Sequence, residues 1–91
     1  DAKIGDASAE ALDWFNYGQF LRHQNAPDEL VYGSFLHAEN LLNSAVGSEL
    51  ATVETARRQV ESKMGAKAAV VAQGNLPSLL ARATNFAPSP H

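Results

Sequence analysis

Two short stretches, "QNAPDEL" (24–30) and "VGSEL" (46–50), constrain the fold of this chain more than anything else in it. The first reads as a helix stop followed at once by a helix start. Asn25 or Ala26 serves as cap, Pro27 takes the first helical position, and Asp28 and Glu29 sit where the positive end of the helix dipole favours acids. In the second, Gly47 suits the left-handed residue that ends a helix, and Ser48 can cap the next one. No sustained period-two alternation and no Asn-Gly or Asp-Gly hairpin turn competes with these marks. The expected fold is all-α: a single domain over 1–91, a small helical bundle of three main helices plus a short C-terminal helix.

The seams agree with the punctuation. A first helix, capped by Asp6 or Ser8, runs to about His23. The second runs to about Val46 with Val31, Phe35, Ala38, Leu42 and Ala45 as its seam, supported by Leu30, Ser34 and Leu41. The third runs to about Met64 with Val53, Ala56, Val60 and Met64 inward, and with Glu54 and Arg58 paired outward at i and i+4. Gly65 stops it. "AKAAVVAQ" is either a short helix or a packed connector. Asn75 can cap a last helix, "LPSLLARATNF", with Pro77 in its first turn, before "APSPH" ends helix formation.

Composition narrows the function classes. At 45% hydrophobic and 19% charged, the 91 residues can build one core and do not resemble a disordered chain. The longest apolar run, Ala68 to Ala72, falls far short of the roughly 18–20 residues that span a bilayer. With no cysteine there is no disulfide, no thiolate nucleophile and no cysteine zinc site, and the redox compartment stays open. A net charge of −3 weighs against nucleic acid as a partner. Arg57, Arg58, Lys63 and Lys67 cluster, but Glu54 and Glu61 lie among them, as on a solvated helix face. The first residue is Asp1 rather than a methionine, which suggests a processed protein or a piece of a larger repeat.

The residues give little to an enzyme. His23, His37 and His91 share no metal-binding spacing, and His37 and Glu39 project about 200° apart on a helix, so they cannot chelate one ion. The Glu-x-x-His pair of a carboxylate-bridged di-iron bundle is missing, as are a glycine-rich phosphate loop and a nucleophile elbow. The expectation is a non-enzyme.

What stands out instead is "LDWFNYGQFL" (12–21). Four of the seven aromatic residues, Trp14, Phe15, Tyr17 and Phe20, lie within seven positions. A helix that only docks on a small core needs one apolar stripe, yet this one is apolar almost all round. Either its aromatics fill a core or an oligomer interface, or two of its faces line a cavity for a flat or rod-like apolar ligand. Gly18 and Gly33 interrupt the first two helices at about 1 kcal/mol each relative to alanine. Each leaves a gap for a neighbouring helix or for a ligand.

"KIGDAS" (3–8) followed by "DWFNYGQFL" (13–21) resembles the N-terminal part of the peridinin–chlorophyll a protein family, the water-soluble light-harvesting proteins of dinoflagellates. "GNLPSLLARATNFAP" (74–88) is a looser match to a later helix of that family, through Asn75, Leu80, Arg82 and Pro88. The match is specific over the first quarter of the chain, and the family's repeat unit is longer than this chain. The resemblance implies chlorophyll a and peridinin, a carotenoid, as cofactors in an apolar cavity, excitation-energy transfer between them, and a chloroplast (thylakoid lumen) location. A 91-residue chain with this much apolar helical surface is further expected to form a homo-oligomer or to dock onto a larger complex, which the resemblance makes a photosynthetic assembly. In the family a helical histidine supports the chlorophyll magnesium through a bridging water. The third helix aligns Arg57 and Arg58 there, after Ala56, and arginine has no lone pair to offer.

On this reading the pigment site is built from Trp14, Phe15, Gly18 and Leu21 of helix one facing Val31, Phe35 and Ala38 of helix two, with His37 as the remaining candidate ligand. No metal-binding set is expected. The alternative is a non-catalytic all-helical oligomerisation or protein-interaction module.

Overall fold

A computed structural model describes the backbone over residues 2–42 and 48–86, and the side chains over 9–42 and 50–85. These residues form five α-helices with no strand among them: α1 (Ala2–His23), α2 (Asp28–Leu41), α3 (Ser48–Met64), α4 (Ala66–Gly74) and α5 (Leu76–Phe86). The all-helical expectation holds, and the helix count is corrected from four to five. "AKAAVVAQ" is a true helix. It is set off from α3 by Gly65, whose φ of +94° carries the chain into a region that a side chain strains to reach.

The helix ends also differ from expectation. α1 begins at Ala2, so Asp6 and Ser8 lie inside it rather than capping it. α2 ends at Leu41, short of Val46; Ala45, Val46 and Gly47 lie outside the described residues. The break at 25–27 is where it was expected, but its chemistry belongs to α1. Asn25 takes φ 59°. The Asn25 N–H donates to Arg22 O at 3.1 Å and the Ala26 N–H to Leu21 O at 3.0 Å, the paired bonds that close a helix through a left-handed residue. Ala26 and Leu21, both buried, make the apolar contact that accompanies this closure. Asn25 and Ala26 thus end α1, and Pro27 is the residue that caps α2.

α2 is the centre of the molecule. It packs against each of the other four helices. Val31, Phe35, Ala38 and Leu42 are buried as the seam requires, and so are Leu30, Tyr32, Gly33 and Ser34. Successive partners along the chain run in opposite directions. Leu21 clusters with Val31, Phe15 meets Phe35, and Ala11 and Trp14 cluster with Ala38 and Leu42. α1 and α2 are therefore an antiparallel hairpin. On another side of α2, a Cβ added at Gly33 would lie 3.2 Å from Leu79 Cβ, so α5 crosses closely there. Buried Tyr32 accepts a hydrogen bond from Gln73 Nε2 of α4 at 2.9 Å, and buried Ser34 donates to Leu30 O at 3.1 Å within its own helix. From α3, Val53, Ala56 and Val60 are buried, and Met64 packs at the edge of the core.

Candidate functional site

The side chains expected to enclose a ligand do come together, but around a ring of the protein itself. Trp14, Phe15, Gly18 and Leu21 of α1 face Val31, Phe35 and Ala38 of α2. The volume left open by Gly18 is taken by Phe35. A Cβ built on Gly18 would lie 2.5 Å from Phe35 Cε1 and 2.7 Å from Cδ1, closer than any real contact. Phe35 is fully buried, and its ring centroid lies 5.3 Å from that of Phe15 at a 36° tilt. The gap expected between α1 and α2 is thus closed by an aromatic knob. The physical reason is size. Burying a phenylalanine contributes roughly 1.5–3 kcal/mol, more than the roughly 1 kcal/mol that a helical glycine costs.

His37 lies beside Trp14 at the edge of that seam. It is half-buried, with its ring edge-on to Trp14 at 5.1 Å and 86°. Among the described residues no group of three His, Asp or Glu side chains could hold a metal ion, and no helix is long and apolar enough to cross a membrane.

Space remains along the outer half of α1. Trp14 is edge-on to Tyr17 at 6.0 Å, and Tyr17 stacks with Phe20 at 5.9 Å. The Tyr17 hydroxyl donates to Ala83 O of α5, tying the two helices. Asp13, Trp14, Tyr17 and Thr84 line a cleft of about 390 Å³ that opens to solvent. Leu12 and Phe20 are exposed on the same helix. The apolar wrap of this segment thus divides into a core half (Phe15, Gly18, Leu21) and an outward half (Leu12, Phe20 and the cleft).

The basic cluster is largely internally paired. Arg57 Nε donates to Glu39 Oε1 at 2.6 Å and Nη1 to Glu61 at 2.5 Å, clasping α3 to α2. Burial works against the Arg57 charge, but the hydrogen bond and charge of Glu39, then the charge of Glu61, outweigh it and raise its pKa above the ordinary arginine value. Arg58 pairs with Glu54 at 3.0 Å, as the i, i+4 spacing requires, and Lys63 approaches Asp28 at 3.7 Å. Arg82 meets Glu29 at 2.5 Å. Of the four clustered cations, Lys67 alone has no ion-pair partner among the described residues.

Sequence reasoning missed the bond of Arg57 to Glu39, because its partners are 18 residues apart on different helices. It also missed the exposure of Val70 and Val71. A signal existed, since a short helix apolar on every side cannot bury every side. The chain matches no family model, and no curated protein or solved structure is significantly similar to it.

Proposed function

We propose that this chain is a non-catalytic helical interaction module, a rigid antiparallel hairpin braced by three further helices that presents apolar helix faces to a protein partner. One observation carries the reading: the Phe35 ring seated on Gly18. It makes the inner aromatics of α1 part of a closed core and leaves Leu12, Phe20 and the Trp14–Tyr17 cleft as outward surface. Protein purified from its source should show no visible absorption band and should elute above the mass of one chain. A stoichiometric visible chromophore would overturn this reading.

A second reading keeps the pigments that the sequence resemblance implies. The observation in its favour is the apolar-walled cleft beside Trp14 and Tyr17, on the segment that carries the resemblance. Peridinin and chlorophyll a would then lie against the outer face of α1, in the chloroplast setting of that family, rather than between α1 and α2. The same absorption spectrum decides between the two.

A further inference from the structure

The molecule carries two exposed apolar helix faces of opposite electrostatic character. On α4, Ala69 and Ala72 are buried, while Val70 is 66% and Val71 62% exposed. Lys67 and Val70 lie at i and i+3, so the one cation of the basic cluster without an ion-pair partner shares that face. Gly74, one turn on from Val70, has nothing within 4 Å of where its Cβ would be, so a second backbone can approach closely there. On α1, Leu12 is 54% and Phe20 40% exposed, two turns apart on one face. Asp13 lies between them and Glu10 on the flank, both without an ion-pair partner among the described residues; Arg22 and His23 fall beyond, at the helix end.

These faces lie on different helices. α2 packs against both α1 and α4, which share no extensive interface among the described residues. One helix surface thus sets Val70 and Val71 beside a lysine without an ion-pair partner among the described residues, and another sets Leu12 and Phe20 beside acids that likewise have none. Each offers what the other lacks.

We infer that the α4 face of one copy docks on the α1 face of a second copy, with Val70 and Val71 against Leu12 and Phe20 and with Lys67 beside Asp13. The contact is heterologous, so every docked pair leaves one face of each kind unused and further copies add head to tail. α4 has only nine residues, so one crossing buries less than the roughly 800 Å² per partner of a standard interface. The association is consequently weak and rises with concentration, and added salt weakens it by screening the Lys67–Asp13 attraction. This inference rests on the interaction-module reading and names the partner as the chain itself.

The test is sedimentation of the full chain and of two surface variants, Leu12→Asp and Val70→Asp, with far-ultraviolet circular dichroism to show that each keeps its helicity. The parent chain should grow in mean mass between micromolar and millimolar concentration. Each variant alone should stay monomeric. Mixed in equal amounts they should form a one-to-one dimer and nothing larger, because the intact α4 face of one meets the intact α1 face of the other. A charge exchange, Asp13→Lys with Lys67→Asp in one chain, should restore the association that either change alone removes. A parent chain monomeric throughout, a mixture that stays monomeric, or single variants that still associate would overturn the proposal. An isolated chain that stays monomeric would overturn it while leaving the interaction reading to stand on the mass of the material from its source, whereas a bound chromophore bears on that reading instead.

Discussion

At the residue scale the contact that matters most is Phe35 on Gly18. Any side chain at position 18 starts with its Cβ 2.5 Å from the ring, so the ring or the helix must shift. Overpacking of this kind costs about 1–3 kcal/mol, against the roughly 1 kcal/mol of helix propensity that alanine would return. Gly18→Ala is therefore expected to lower stability in urea denaturation, and Gly18→Leu to abolish the cooperative transition. Adding Phe35→Leu to Gly18→Ala should recover part of the loss, as coupled neighbours do. A Gly18→Ala chain as stable as the parent would show that the ring is not seated there. Phe35→Ala, which empties the same space, should cost about 3–5 kcal/mol. Because a domain of this size has about 5–10 kcal/mol in total, the variant should be partly unfolded at modest denaturant.

At the element scale the joints are separable. Gly65 has open space around its Cβ position, so Gly65→Ala meets no neighbour and its whole penalty is the backbone, which at φ +94° and ψ 154° lies in a region open essentially to glycine alone, about 1–3 kcal/mol. Gly65→Asn should cost as much, since asparagine tolerates the left-handed helical region but not this extended one, whereas Asn25→Gly should be close to neutral because φ 59° is open to glycine. Denaturation midpoints of the three variants check this order. The clasp of α3 on α2 is a different kind of joint. Arg57→Met leaves Glu39, whose side chain is 20% exposed, without its partner, and should cost about 1–3 kcal/mol. Arg57 is raised above its ordinary value, so with its acidic partners ionised its contribution is fully present from neutral pH up to the ordinary arginine range and is lost only as pH climbs past the raised value. The stability gap between parent and Arg57→Met should thus be unchanged between neutral pH and mild alkali. A gap that closes there would mean Arg57 is not held in the pair.

At the scale of the whole molecule, stability depends on covering α2. Tyr32 and Gly33 are buried by α4 and α5, and the Tyr17 hydroxyl reaches across to α5. A chain ending before Leu76 would uncover Gly33 and part of the cluster built on Leu79 and Ala83. It should keep far-ultraviolet helicity, lose near-ultraviolet signal and bind a hydrophobic dye, the marks of helices without fixed packing. Retention of a cooperative unfolding transition would show that α5 is dispensable. The exposed faces of α1 and α4 act at this scale too, since they determine whether one molecule suffices or copies associate.

What the sequence by itself determined is local. The stop at Asn25–Pro27, the acids at the start of α2, the seam Val31–Phe35–Ala38–Leu42 and the Glu54–Arg58 pair all follow from interactions spanning no more than a few residues, which a linear reading can see. So does the meeting of Trp14, Phe15, Gly18 and Leu21 with helix two, because a short link leaves antiparallel neighbours little choice. Whether Gly18 opened a cavity or received a ring was a matter of relative depth, and only the packing of α2 against α1 decided it, by driving Phe35 into the gap. The capture of Arg57 by Glu39 and the exposure of Val70 and Val71 were decided in the same way. Each depends on which surfaces are covered by distant segments, and an apolar residue carries the same pattern in sequence whether a neighbour arrives to cover it or not.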